Sequence, residues 1–126
     1  MRPLEGIRIV EMGTHIVVPV AVRVLSDWGA EVIKVEIPGG EKWRLAGKNA
    51  GLSEKSDCNP LYAVVNSGKE MISLDLKSEE GKSVLLRLLE DADVFITNTR
   101  PQSLAKLGLS YEDLKAQKGN TQTFRL

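Results

Sequence analysis

The chain has 126 residues, with 17 basic and 17 acidic side chains and a formal net charge of zero. That balance removes the basic footprint on which nucleic-acid and anionic-membrane binding depend, so no nucleic-acid or membrane partner is expected. At 42% hydrophobic and 27% charged residues, the composition fits one folded domain with a modest core rather than a disordered chain or two domains.

Residues Ile7 to Met12 form a β-branched run between Gly6 and Gly13 and read as a buried strand. Pro19 sits where a first helical residue would, and Val20, Ala21, Val24, Leu25 and Trp28 recur at helical spacing up to Gly29. Ala30 to Glu36 reads as the second strand. A strand, a helix and a strand joined by tight glycine turns predict a βαβ unit with parallel pairing. Residues Ile37 to Pro60, with Pro38-Gly39-Gly40, Gly47 and Gly51, show little periodicity, and a stretch that irregular in a compact domain usually has a function. Leu61 to Val65 fits a short helix or a strand, and Asn66-Ser67-Gly68 is a turn signal.

Ile72, Leu74 and Leu76 alternate with polar residues as in a period-two strand. Ser78 is a good N-cap for a helix whose buried stripe is Val84, Leu85, Leu88, Leu89 and Ala92. Asp93 to Thr97 is another buried strand, Pro101 to Leu107 a short helix stopped by Gly108, and Ser110 caps one more from Tyr111 to Gln117. The fold class is α/β: a Rossmann-like, mostly parallel sheet with flanking helices.

Ligands of such sheets bind beyond the carboxyl ends of the strands, which singles out the loops Gly13 to Val18, Ile37 to Gly51 and Asn98 to Gln102. Glu36 ends the second strand where an acidic residue could hold a ribose hydroxyl. The first loop, however, reads Gly13-Thr14-His15-Ile16-Val17-Val18, without the glycines that bring backbone close to a pyrophosphate. Glu36 is therefore expected to be a solvated strand end, and NAD is disfavoured. His15 has no carboxylate at a motif spacing and reads as a loop residue rather than a general base. Cys58 lacks a neighbouring cation or helix N-terminus to make it a reactive thiolate. As the only cysteine beside the only histidine, it also cannot build a disulfide or a protein-only zinc site, so no metal is expected. The scattered aspartates Asp27, Asp57, Asp75, Asp91, Asp93 and Asp113 read as caps or exposed faces. Lys69, Arg100 and Lys106 could meet phosphates near strand ends, although solvated charge is the default for each. No apolar run reaches membrane-spanning length and residues 1–6 lack a signal peptide's apolar core, so a cytoplasmic protein is expected.

An ordered set of short motifs carries more than any one of them. Leu4-Glu5-Gly6-Ile7-Arg8-Ile9-Val10-Glu11, Asp27 to Glu36 (DWGAEVIKVE) and Pro38-Gly39-Gly40 come first. Asn66-Ser67-Gly68-Lys69, Leu74-Asp75-Leu76-Lys77, Glu80-Gly81, Ala92-Asp93-Val94, Asn98-Thr99-Arg100-Pro101 and Leu104 to Leu114 follow in order. Together, over about residues 3–117, they resemble the N-terminal portion of a family III CoA-transferase, the CaiB/BaiF group. That group includes formyl-CoA transferase, 2-hydroxyacyl-CoA transferases and α-methylacyl-CoA racemase. The resemblance implies a Rossmann-like domain, incomplete here relative to the full family domain, that holds coenzyme A. It also implies transfer of CoA from an acyl-CoA to a small carboxylic acid through an aspartyl-CoA thioester.

The family's nucleophilic aspartate is expected beyond residue 126, and none of the aspartates here matches it, so the fragment itself is expected to be inactive. A racemase-like fragment and a non-catalytic Rossmann-like binding or assembly domain are the alternatives. The resemblance carries CoA contact onto Leu74, Asn98, Thr99 and Lys106, with Arg100 a weaker candidate. Val17 and Val18 fall near a loop where relatives use other residues. The basic residue that some relatives place after the second strand is missing, since Ile37-Pro38 stands there. The family's full-length members are implied to be interlocked homodimers, and a piece of this size is expected to expose apolar surface and self-associate. Residues 118–126 depart from the family's usual continuation. A shifted reading frame could restore it, so an out-of-frame tail is expected here.

Overall fold

In the computed structural model of the chain, which describes residues 1–52 and 59–117 and the backbone of 122–125, five strands form one sheet in the order β3-β2-β1-β4-β5. The strands are β1 (Arg8–Met12), β2 (Glu31–Glu36), β3 (Glu70–Ser73), β4 (Val94–Thr97) and β5 (Gln122–Arg125), and every adjacent pair is parallel. The chain crosses from one side of β1 to the other between β3 and β4, which opens a crevice at the carboxyl ends of β1 and β4. The order and the parallel pairing match the α/β, Rossmann-like expectation.

Both faces of the sheet are covered, as parallel strands require. On one face Ile9, Val32 and Ile96 pack against Val18 and Val22 of α1 (Val17–Asp27). On the other, Val10, Val35 and Phe95 pack against Leu85 and Leu89 of α3 (Glu79–Glu90), Leu104 of α4 (Pro101–Lys106) and Leu114 of α5 (Tyr111–Gln117). Each fully buried side chain of this kind contributes about 1.5–3 kcal/mol. α2 (Pro60–Asn66) resolves the ambiguity of that segment as a helix. Asn59 caps it, accepting from Leu61 N–H at 2.9 Å and Tyr62 N–H at 3.3 Å, and Pro60 opens it.

Three expectations shift. α1 begins two residues before Pro19, which the first turn tolerates because the first four helical N–H groups need no intrahelical partner. The strand read through Leu76 ends at Ser73, because Asp75 and Ser78 close a turn that leads straight into α3. Leu74 and Leu76 are still buried, so their alternation reported burial rather than strand pairing. The segment after β2 contains two short 3-10 turns, Lys42–Leu45 and Lys48–Ala50. Cys58 and Asp57, and all of the tail except the 122–125 backbone beside β4, lie outside the described residues.

Candidate functional site

A cavity of about 690 Å³ opens at the carboxyl ends of β1, β2 and β4. Its wall includes Met12, Val35, Leu76 and Leu107, with Thr14, His15 and Thr99 at the crevice and the exposed Lys42 and Lys77 among its charged groups. The wall is apolar with charges of both signs, Glu36, Glu41 and Asp75 beside Lys42 and Lys77, a lining that suits a ligand with an apolar arm.

Beneath the first loop lies a set of charges that sequence reading missed. Lys34 and Lys69 side chains are fully buried, as is Glu11, and Glu41 is nearly so. Glu11 and Lys34 face each other in the β1–β2 register. Lys34 Nζ lies 3.0 Å from Glu11 Oε1 and 3.2 Å from Glu41 Oε1, and donates to the Gly13 carbonyl at 2.8 Å. Lys69 Nζ lies 2.6 Å from Glu11 Oε2 and donates to the Pro19 carbonyl at 2.9 Å and to Asn66 Oδ1 at 3.0 Å. Two acids and two bases cancel, which is what lets four charges leave water together. Burial lowers the Lys69 pKa, and the charge of Glu11 offsets part of that effect. Lys69 is thus a structural cation under α1, not the solvated or phosphate-facing lysine expected.

Glu36 also departs from expectation. It is buried, not a solvated strand end: Arg44 donates to both of its oxygens, at 2.8 and 3.0 Å, and Tyr62 Oη donates to Oε1. The Arg44 guanidinium stacks 4.0 Å from the Tyr62 ring centroid. Burial alone would raise the Glu36 pKa. The hydrogen bonds from Arg44 and Tyr62, together with the charge of Arg44, outweigh it and hold the carboxyl below the usual glutamate range. Burial and then Glu36 push the Tyr62 phenol well above its ordinary value.

Of the seven residues assigned to CoA, the structure brings only Thr99 into the cavity wall. Its N–H donates to Thr97 Oγ1 at 3.0 Å. Asn98 joins the loops after β1 and β4: Oδ1 accepts from Thr14 N–H at 3.1 Å and Nδ2 donates to the Thr14 carbonyl at 3.0 Å. Lys106 is exposed at the end of α4, next to the lining residue Leu107, and Arg100 is exposed at the α4 N-cap. Val17 is 68% exposed. The side chains of Val18 and Leu74 are buried in the two cores, because α1 and the turn after β3 press them inward, and neither lines the cavity. The further lining residues Ile37, Pro38 and Glu41 fall in the loop singled out after the second strand, and Leu76 in the alternating pattern read as a strand, so none was marked individually as a site residue. For the buried charges there was a signal: an acid and a base within two strands otherwise read as apolar.

The family model for CoA-transferase family III matches residues 4–120. The chain belongs to CoA-transferase family III. A curated relative, the (R)-2-hydroxy-4-methylpentanoate CoA-transferase of Clostridioides difficile, is 40% identical over 112 residues, 89% of this chain and 28% of the relative. The cinnamoyl-CoA:phenyllactate CoA-transferase of Clostridium sporogenes is 41% identical over 111 residues, 88% of this chain and 27% of that protein. A CaiB/BaiF family protein from Brucella suis has a crystal structure that superposes with a TM-score of 0.85 at 36% identity, covering 98% of this chain and 32% of that one. The chain therefore spans under a third of the length of these relatives.

Proposed function

We propose that the chain forms the cofactor side of an acyl-CoA:carboxylate CoA-transferase and holds coenzyme A along the carboxyl ends of β1, β2 and β4. The observation that carries this reading is the apolar cavity at the sheet's switch point, with lysines near it, in a chain of family III. In this reading the pantetheine arm follows the apolar wall, while Lys42, Lys77 and Lys106 face the phosphates. The two relatives named above act on 2-hydroxyacyl and arylacyl groups by their names, which supports a carboxylic acid of that class as acceptor.

The reaction in this reading is covalent. An aspartate carboxylate attacks the thioester carbonyl and expels CoA thiolate, leaving a mixed anhydride. The thiolate then attacks the aspartyl carbonyl, releasing the acyl group as its carboxylate and leaving an aspartyl-CoA thioester, from which an incoming acid collects CoA. The described aspartates are otherwise engaged. Asp27 lies by Arg23, Asp91 by Arg8, Asp93 accepts from Arg8 N–H, and Asp113 accepts from the Ser110 N–H and hydroxyl. Asp75 reaches the cavity wall, but its Oδ1 accepts from Lys77 N–H at 3.0 Å. In this reading the chain contributes binding, and none of these described aspartates is the nucleophile.

Calorimetry with CoA and acetyl-CoA tests the reading. Saturable binding is expected, weakened about threefold to fivefold by Lys106→Ala, the size of one solvent-exposed charge pair. No binding at millimolar ligand, or turnover of an acyl-CoA with a carboxylic acid by this chain, overturns it.

A further inference from the structure

Two loops from different strands wall the cavity. Thr14 and His15 follow β1, whereas Pro38 and Glu41 follow β2. One side chain joins them. Glu41 Oε2 accepts from the His15 N–H at 2.8 Å, its Oε1 lies 3.2 Å from Lys34 Nζ, and its own N–H donates to Glu36 Oε2 at 3.2 Å. The Glu41 side chain is only 4% exposed, so the His15 N–H on Oε2 and the charge of Lys34 beside Oε1, which makes no hydrogen bond among the described residues, offset the loss of water around the carboxylate. His15 has φ +63°, a left-handed conformation that a non-glycine residue keeps only where its surroundings hold it. The His15 and Trp43 rings also meet across the two loops, with centroids 6.1 Å apart.

We propose that Glu41 is a positioning residue that latches the loop after β1 to the loop after β2 and so fixes the mouth of the cavity. Lys34 anchors the latch in the sheet. The same ammonium that holds Glu41 also holds Glu11 and the Gly13 carbonyl, so one atom sets where both loops begin. An apolar residue at 41 would leave the His15 N–H and one buried positive charge without their partner, which is why a carboxylate is needed there. The consequence for ligand affinity rests on the CoA reading: a mouth held open in advance spares the ligand the cost of ordering it.

The experiment compares the 126-residue chain with its Glu41→Ala and Glu41→Gln variants by residue-resolved amide hydrogen exchange and by CoA calorimetry. In Glu41→Ala, the His15 amide is expected to exchange about tenfold faster or more while the Val10 and Phe95 amides in the sheet interior keep their rates, the signature of a local opening. The Kd for CoA is expected to weaken about tenfold, as for loss of a charge-assisted hydrogen bond that orders the site. Glu41→Gln keeps an acceptor for His15 and is expected to fall between. Unchanged exchange at His15 overturns the latch. Equal acceleration at Val10 and Phe95 overturns it too, since that marks a global loss of stability. If Glu41→Ala does not fold, Glu41→Gln is judged by the same two criteria. Faster exchange at His15 with an unchanged Kd overturns the positioning role. A wild-type chain that binds no CoA overturns the functional reading instead, and the exchange rates still decide the latch.

Discussion

Gly81→Ala sets two backbone effects against each other, and the geometry decides between them. Gly81 lies in the first turn of α3, where alanine would ordinarily gain roughly 1 kcal/mol of helix propensity. A Cβ built there, however, falls 2.0 Å from the Asp75 carbonyl oxygen, 2.7 Å from its carbon and 3.0 Å from Ser78 Oγ. The first two are backbone atoms, so no rotamer change relieves the contact, and the turn must move by more than an ångström. Overpacking of this kind costs about 1–3 kcal/mol. The shift also breaks the N-cap in which Ser78 Oγ accepts from Gly81 N–H at 3.0 Å, for about 1 kcal/mol more. The net expectation is a loss of about 2 kcal/mol, or roughly 8 °C in Tm for a chain of this size. Urea and thermal unfolding followed by circular dichroism measure it. Because the turn carries Asp75, Leu76 and Lys77 into the cavity wall, CoA affinity should fall in the folded variant as well. Unchanged or increased stability would refute the argument, since propensity would then have outweighed the contact.

Three further outcomes follow from the same geometry. Lys34→Met leaves a buried unit of negative charge and should destabilise by about 3–5 kcal/mol, whereas Lys34→Met combined with Glu41→Gln restores neutrality and should cost less than the sum of the two single changes. Additive unfolding energies would show that the two charges are not coupled. The lowered pKa of Glu36 means that its ionised form stabilises the fold above the ordinary glutamate value of about 4.3, and that this contribution disappears as pH falls through the still lower folded-state value. Glu36→Gln should therefore lower stability at pH 7 and flatten its dependence on acid below about pH 4.3; parallel pH profiles would refute this. Val17, Val20, Val24 and Trp28 form an exposed apolar stripe along α1, and we expect it to drive self-association, with Val24→Lys shifting sedimentation toward the monomer. A wild-type monomer at every concentration would refute that expectation.

The βαβ unit was legible because its signals are local. Glycine turns, the Ser78 cap and the helical stripe of α3 need no knowledge of the rest of the chain, and each stands as read. The resemblance, built on motif order, located the family for the same reason. The site was less legible. Glu36 looked solvated because Arg44 lies in a segment without periodicity and Tyr62 in one open between helix and strand, and both are brought to it only by folding. Lys69 pairs with Glu11 across 58 positions of sequence, and no local pattern announces such a pair. Of the CoA assignments carried over by motif, Thr99 lines the cavity, whereas the cores claim the side chains of Val18 and Leu74. Whether a loop residue faces a ligand or the sheet depends on the direction of the chain at that point, which motif spacing does not encode.

The buried ammonium groups of Lys34 and Lys69 also give the molecule an internal clock. In the native state neither amine meets solvent, whereas Lys42, Lys77 and Lys106 do. An amine-acylating reagent would therefore modify the exposed lysines at once and reach the buried two only through openings of the sheet and α1. The slow labelling of Lys34 and Lys69 reads out how often the core opens. Ligand-dependent protection of Lys42 and Lys77, in the same sample and the same mass spectrum, reads out whether the cavity is filled.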